Sequence, residues 1–481
     1  MNRTRQILKK SAAAVLCASL ILSGSSTAFA AGSYQETEKA ALNKLTDGIP
    51  ETWDTYLENY KKSAAGSKSN MTLKVEDTGR ALIGALMGGT DVSWLQSISL
   101  DSNISIKDGV EAIVSSVLLN DNKLCDFNVY MDLANMMEYI QIPELSDSYM
   151  KAPVSSDSEE NSEEAQQFLN TYMTTLSDLT SVLPDSKTLS TLLDRYGNII
   201  IDSFEEGSSV EESVSVDGIS EECTAYEGII SEKSAYTIVE KVLTTAKDDE
   251  EIKALFDQWS DDASNEENQY KDFQNLITDA LDDMNRDDEG STENEAFSSK
   301  VWVNGDGKIV GRQFGITDGT DTTPVFTWKA PSEGEDSALL LELAADDSSF
   351  TFTGSGKTAD GLLNGDYILA VNGTETVDIN VENLETKPAK AGYYNGTFNI
   401  SFPAAETDSS DSEAGESTED DTDTSATDML AGFGAVIKLT SDADADTSTL
   451  DLTVTTSGAA LATLSITGSY GEGVEIPDFA S

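Results

Sequence analysis

Histidine is missing from all 481 residues. Its absence rules out Ser-His-Asp and Cys-His catalysis, imidazole zinc sites and any histidine pH switch. Positive charge is scarce, with 30 Lys and Arg against 87 Asp and Glu and a formal charge of −57. A surface of that sign repels nucleic acid, anionic lipid and anionic wall polymer unless divalent cations bridge the two, and it favours solubility and monomers. Cysteine is nearly absent, at three residues. No apolar run of spanning length follows the first thirty residues, so no transmembrane segment is expected in the mature chain. What remains is carboxylate chemistry, Ser-Lys chemistry, oxygen-ligand cation binding, or no catalysis.

The first thirty residues set the address. Arg3, Arg5, Lys9 and Lys10 make a basic start, 12–22 is a short apolar run, and Ala28-Phe29-Ala30 places small residues where a signal peptidase reads. That order is a secretory signal cleaved near Ala30; a buried N-terminal helix is the alternative. Removing the four basic residues of the leader leaves 26 against 87 acidic ones, a net charge of −61. Cys17 leaves with the leader, and Leu16 stands where lipid attachment would need a small residue. Cys125 and Cys223 remain, both in strand-like segments. They either form one disulfide, worth about 4–5 kcal/mol for a loop of about 100 residues, or stay as two buried free thiols.

Along the mature chain the apolar period changes several times. Leu42, Leu45, Trp53, Tyr56, Leu57 and Tyr60 recur at helical spacing, broken by Gly48 and Pro50. From 71 to 142 the period is two, with turns at Lys107-Asp108-Gly109 and Asn120-Asp121-Asn122, which predicts an antiparallel meander. After an acidic stretch at 155–164, helical stripes follow at Phe168, Tyr172, Leu176 and Leu179 and at Leu189, Leu192, Leu193 and Tyr196. Strands are expected at 210–216 and 223–230. Three more stripes lie around Tyr236, Phe256 and Phe273. An acidic linker at 286–295 marks a boundary. Beyond it the chain reads as strands, interrupted by 406–428, which holds ten acidic and no basic residues and reads as a disordered loop.

The expected architecture is α+β. Curved antiparallel β-sheet packed by amphipathic helices occupies 31–290, and a β-rich region with an acidic loop at 404–428 occupies 291–481. The two regions are able to share one long sheet.

Each catalytic motif is incomplete. Gly354-Ser355-Gly356-Lys357-Thr358 looks like the end of a phosphate loop, but Thr351 replaces the first glycine and Asp360-Gly361 argues against a following helix, so a β-turn is expected. Ser148-Tyr149-Met150-Lys151 has Ser-Lys spacing, yet Pro153 opposes the helix that would return the lysine to the serine. Asp442, Asp444 and Asp446 match the start of a calcium loop, but Thr447 and Thr453 replace its glycine and its closing glutamate. Weak divalent-cation binding is the expectation there, with no built metal site. Trp302 and Trp328 serve either as sugar platforms or as core strand residues. No catalytic residue, cofactor-binding residue or metal ligand is assigned, and the chain is expected not to be an enzyme.

The leader, the first helix, the meander ending in Tyr139-Ile140-Gln141-Ile142-Pro143-Glu144-Leu145 and the hairpin at 301–310 together resemble exported, uncharacterised proteins of Gram-positive bacteria with the half-open antiparallel sheet of the LolA/LppX-type lipoprotein carriers. The resemblance spans roughly 71–315. It implies an apolar ligand such as an acyl chain held between sheet and helices, while the missing lipid-attachment cysteine and the greater length depart from the pattern. The leading expectation is an exported, non-catalytic binding protein of the cell surface or surroundings. Alternatives are a structural or adhesive surface protein and a carboxylate-based hydrolase.

Overall fold

The computed structural model describes residues 32–107, 109–132, 135, 137–153, 183–259, 263–287, 295–318, 321–345, 348–388, 390, 392–403 and 432–479. The leader at 1–30, the acidic stretches 155–164 and 404–428, and the stripe of Phe168, Tyr172, Leu176 and Leu179 lie outside the described residues.

The chain is α+β, with six helices among the described residues, twenty strands in open antiparallel sheet and a strand-rich C-terminal region. In chain order, helix α1 (Tyr34–Ala65) precedes β1 (Ser67–Val75), helix α2 (Asp77–Leu86) and β2 (Ser97–Lys107). Then come β3 (Val110–Leu119), β4 (Asn122–Asp132), β5 (Met137–Gln141) and β6 (Met150–Pro153). Helix α3 (Ser186–Ile201) leads into β7 (Glu205–Val216) and β8 (Ile219–Ser231). Helices α4 (Glu232–Lys247), α5 (Glu250–Trp259) and α6 (Ala263–Asp287) follow. After them run β9 (Glu295–Asn304), β10 (Ile309–Asp318), β11 (Asp321–Lys329), β12 (Ser332–Glu333), β13 (Asp336–Ala345) and β14 (Ser348–Ala359). The last strands are β15 (Leu362–Val371), β16 (Thr374–Glu385), β17 (Gly396–Ser401), β18 (Phe433–Asp442), β19 (Thr447–Thr456) and β20 (Ala459–Tyr470). Hairpin turns carry the residues that tolerate left-handed backbone, as at Asp360-Gly361 (φ 53° and 80°) and Asn372-Gly373 (φ 51° and 76°).

Two compact units each combine two stretches of chain: Met1–Glu58 with Asp178–Ser355, and Asn59–Ser177 with Gly356–Ser481.

In the first unit the strand order is β7-β8-β9-β10-β11-β13, with β12 beside β13. β8 and β9, separated in the chain by α4, α5 and α6, pair directly. Among the described pairings β7 is an edge, and Glu205, Glu206, Glu211 and Glu212 along it discourage further strand pairing. One face of this sheet packs α1, α3 and α4 through Tyr34, Ala41, Leu42, Ile200, Phe204 and Ile238 against Ile230, Val301, Val303, Ile309 and Phe314. The other face carries a smaller core of Val214, Cys223, Ala225, Trp302 and Val310.

Polar contacts fix α1 on its sheet. Glu206 accepts the Tyr34 and Gln35 amides at 2.9 and 3.0 Å, satisfying donors that a helix start leaves free. Glu38 is buried and ion-paired to buried Arg312 of β10. Gly48 and Pro50 do not break the helix. Pro50 has no N–H for the Thr46 carbonyl, and Ser190 Oγ of α3 donates to that carbonyl instead, at 3.0 Å.

Asp249 caps the start of α5. Its Oδ1 accepts the Glu251 and Ile252 amides at 2.9 and 3.3 Å, and its Oδ2 accepts the Tyr196 hydroxyl at 2.7 Å and the Arg195 guanidinium. Burial alone would raise this carboxyl; Arg195, Tyr196 and the amides instead carry it down to about 2. The folded pKa lies below the unfolded value of about 3.9. The contribution is therefore complete above about pH 5 and is lost as pH falls through about 2, on the order of 2 kcal/mol. Denaturant unfolding of the parent and Asp249→Asn across acid pH should show a gap at pH 6 that closes near pH 2. A gap independent of pH would contradict this assignment.

In the second unit the order is β6-β5-β4-β3-β2-β1-β20-β19-β18-β17-β16-β15. β1 lies between β2 and β20, so one short strand joins an early and a late meander. β6 is short and ends in Pro153, which suits an edge. The segment after β20 returns over β2–β5. Val474 N donates to Ser105 Oγ at 2.8 Å, and Phe479 stacks on Tyr139 at 4.0 Å with Tyr130 and Tyr149 edge-on.

Candidate functional site

The incomplete motifs all resolve into ordinary structure. Gly354-Ser355-Gly356-Lys357-Thr358 lies within strand β14, where neither a phosphate loop nor the expected turn forms. A Cβ on Gly356 would fall 2.7 Å from the Asn364 carbonyl, so the glycine is needed for close strand packing. Lys151 extends from β6 with its ammonium 5.3 Å from the Tyr139 ring, and Ser148 precedes the strand without a helix between them. Asp442 Oδ1 accepts the Asp444 and Ala445 amides, both at 3.0 Å, while Asp446 is paired with Lys390 and accepts the Tyr393 hydroxyl at 3.2 Å. A lysine thus occupies the charge that a cation would neutralise. Among the described residues no three carboxylates or thiols converge as metal ligands.

Cys125 and Cys223 are both free thiols, one in each unit. Burial first, then the charges of Glu221 and Glu222, push the Cys223 thiol up to about 12 and keep it protonated. Trp302 is buried, donates Nε1–H to Glu212 Oε2 at 2.7 Å, and has the Lys300 and Lys329 ammoniums each 5.4 Å from its ring. Trp328 is half-buried against the main core of its unit. The Trp302 ring offers no open stacking face. The carboxyl groups with displaced pKa values include Asp91, Asp126, Asp185, Glu212, Asp249 and Asp446, and all six move down. A general acid at neutral pH needs the opposite displacement.

The feature that stands out is the apolar face of the second unit's sheet, built by register. One row runs from Phe398 on β17 through Ile437, Leu452, Leu464, Leu73 and Ile98 to Leu119 on β3. A second runs from Leu439 through Leu450, Ile466, Met71, Leu100 and Val117 to Cys125. A third joins Tyr367, Ile379, Ile400, Ala435, Val454, Ala462 and Val75. Strand alternation puts polar residues on the opposite face, where Thr449–Thr467, Thr453–Thr463 and Thr72–Ser99 hydroxyl pairs all meet at 2.9 Å.

A sheet normally covers the apolar face and leaves the polar one wet. Here Leu73 is 39% exposed and Ile98 44%, and Met71, Leu100, Leu450 and Val454 are exposed as well. Covering each of them would stabilise by roughly 0.5–1 kcal/mol. A contiguous exposed apolar face of this kind marks a binding or assembly surface. A hollow of about 330 Å³ lies along the β15–β17 end of the sheet, with Tyr367, Ile379 and Ile400 among its lining residues beside Asp366, Asn380 and Asn399. Each strand's alternation was visible in the sequence. The lateral alignment of ten strands into three continuous rows was not.

A second hollow, of about 510 Å³, lies under α2 and the loop after it. It is lined by Asp77, Arg80, Gly84, Thr90, Asp91 and Ser93 together with Ala81, Ala85, Gly89 and Val92. The Arg80–Asp77 ion pair and the exposed Asp91 make it a polar place.

No family model matches the chain, and no curated protein sequence does. The isotype 1 transferrin binding protein B of serogroup B Neisseria meningitidis aligns over 84% of this chain and 76% of its own, at 6% identity and a TM-score of 0.12. A likeness at that level carries no argument about fold or function.

Proposed function

We propose that the protein is exported after cleavage of its leader near Ala30 and acts outside the cell as a non-catalytic binding protein for an apolar ligand. The ligand, an acyl chain or comparable lipid moiety, lies on the apolar face of the second unit's sheet. The observation that carries this reading is the exposure of Leu73, Ile98, Met71 and Leu100 within continuous apolar rows. The resemblance to LolA/LppX-type carriers implies an acyl chain between sheet and helices; the ligand is placed here on the exposed apolar face of the sheet instead. The absence of histidine and the direction of the displaced carboxyl pKa values leave little with which to transform a ligand.

The test uses the mature chain 31–481 and the fluorescent fatty acid cis-parinaric acid. Saturable enhancement is expected, and Leu73→Glu with Leu100→Glu should weaken it by at least about tenfold, since each substitution buries an unpaired charge against the ligand. Both positions are exposed, so folding should be retained. No enhancement, or equal enhancement in the variant, would overturn the proposal. The structural or adhesive reading draws on the same exposed face. It predicts instead that the parent sediments as large assemblies and the variant as a monomer.

A further inference from the structure

Helix α2 is amphipathic in reverse. Its buried positions are glycines: a Cβ on Gly79 would meet the Leu461 carbonyl at 2.1 Å, and one on Gly84 the Thr90 carbonyl at 2.8 Å. Its outward positions are apolar, with Ala81, Leu82, Ala85 and Leu86 all exposed, Leu82 to 46% and Leu86 to 80%. A surface helix ordinarily does the opposite. The chain then turns at Met87, 58% exposed, through Gly88 and Gly89, both with left-handed φ, and presents Trp94 at 57%. The tip is preformed. Gly89 N donates to the Gly84 carbonyl at 2.8 Å, Val92 is buried against the helix, and Asn120 Nδ2 holds the Trp94 carbonyl at 2.6 Å.

We infer that this tip inserts into the headgroup layer of an electrically neutral lipid surface. Two observations select that occupant. From Ala81 to Thr90 there is no charged residue, in a chain with 87 acidic ones, and exposed Asp91 is the one charge between there and Trp94; its sign adds to the repulsion from anionic lipid, so an uncharged interface is the one the tip approaches. Its area is also small: a stable protein–protein contact takes about 800 Å² from each partner, and Leu82, Leu86, Met87 and Trp94 offer about half of that. Leu and Met with a Trp at the rim is the composition that enters a lipid interface, the indole sitting at headgroup level. The inference does not depend on the ligand face proposed above.

The experiment is flotation of the mature chain 31–481 with phosphatidylcholine vesicles, in parallel with vesicles containing phosphatidylglycerol. The chain should float with the neutral vesicles and less with the anionic ones. Leu86→Ser with Met87→Ser should reduce flotation by about tenfold while thermal unfolding and cis-parinaric acid binding stay unchanged. No flotation of the parent, or equal flotation of the variant, would overturn the inference. So would self-association of the parent that the variant abolishes, which would make the tip a contact between copies.

Discussion

Arg312→Met is expected to lower the stability of the first unit by about 3–5 kcal/mol, because it leaves the Glu38 carboxylate buried without its ion partner. Both side chains are almost completely shielded from solvent, and Glu38 Oε2 has no hydrogen-bond partner among the described residues. The pair is thus incompletely satisfied even when intact. Burying two charges costs several kcal/mol per ion, and their mutual attraction repays that only with good geometry and full hydrogen bonding. Glu38→Leu combined with Arg312→Met should therefore recover most of the loss. Urea unfolding followed by tryptophan fluorescence measures this directly, since Trp53, Trp259, Trp302 and Trp328 lie in the first unit and only Trp94 in the second. A double variant as unstable as the single would mean that the pair itself holds α1 on the sheet.

Gly228→Ala should be the next most damaging change, at about 3 kcal/mol by overpacking. A Cβ at this position of β8 would lie 2.5 Å from two carbons of the Tyr34 ring and 2.9 Å from the Phe204 ring. Those rings lie 5.0 Å apart, and both are buried in the core beneath α1. Tyr34 opens α1 and Phe204 lies between α3 and β7, and both are almost fully buried, so neither ring has open space to move into. Alanine elsewhere in a strand is tolerated better than glycine, so a steric origin predicts a loss where propensity predicts a gain. The same fluorescence-detected unfolding decides between them, and unchanged or increased stability would contradict the packing described for Tyr34.

How much of this was legible in the sequence depended on whether the controlling contact was local. Strands β2 to β5 follow the apolar alternation from Ile98 onward, and the β3–β4 turn falls at Asn120 and Asp121, both with positive φ. Helix α1 was legible, but its continuity through Pro50 was not, because the compensating donor, Ser190, is 144 positions away from Thr46. Helix α2 was missed within the predicted meander. Its buried side is glycine, so no apolar stripe announces a packed face. The β14 segment was read as a turn because Thr351 and Asp360-Gly361 opposed a phosphate loop, whereas Gly356 serves close approach to β15. The β1–β20 pairing joins residues some four hundred positions apart, as at Met71 and Ile466, and no local pattern encodes it.

The candidate site was half visible for the same reason. Alternating apolar residues specify that a strand has an apolar face, and both a filled core and an open binding surface satisfy that pattern. Only three-dimensional exposure at Leu73, Ile98 and their neighbours separates the two. The free state of Cys125 and Cys223 was likewise undecided by spacing, and their placement in separate units was hidden.

Native mass spectrometry of the protein recovered from culture medium tests the central claim most directly. The expected product is a chain that begins just after Ala30 and carries a releasable adduct of lipid mass, removed by organic extraction and lost in the Leu73→Glu, Leu100→Glu variant. A bare chain at the mass of the polypeptide alone, or a product retained inside the cell with residues 1–30 still attached, would contradict it.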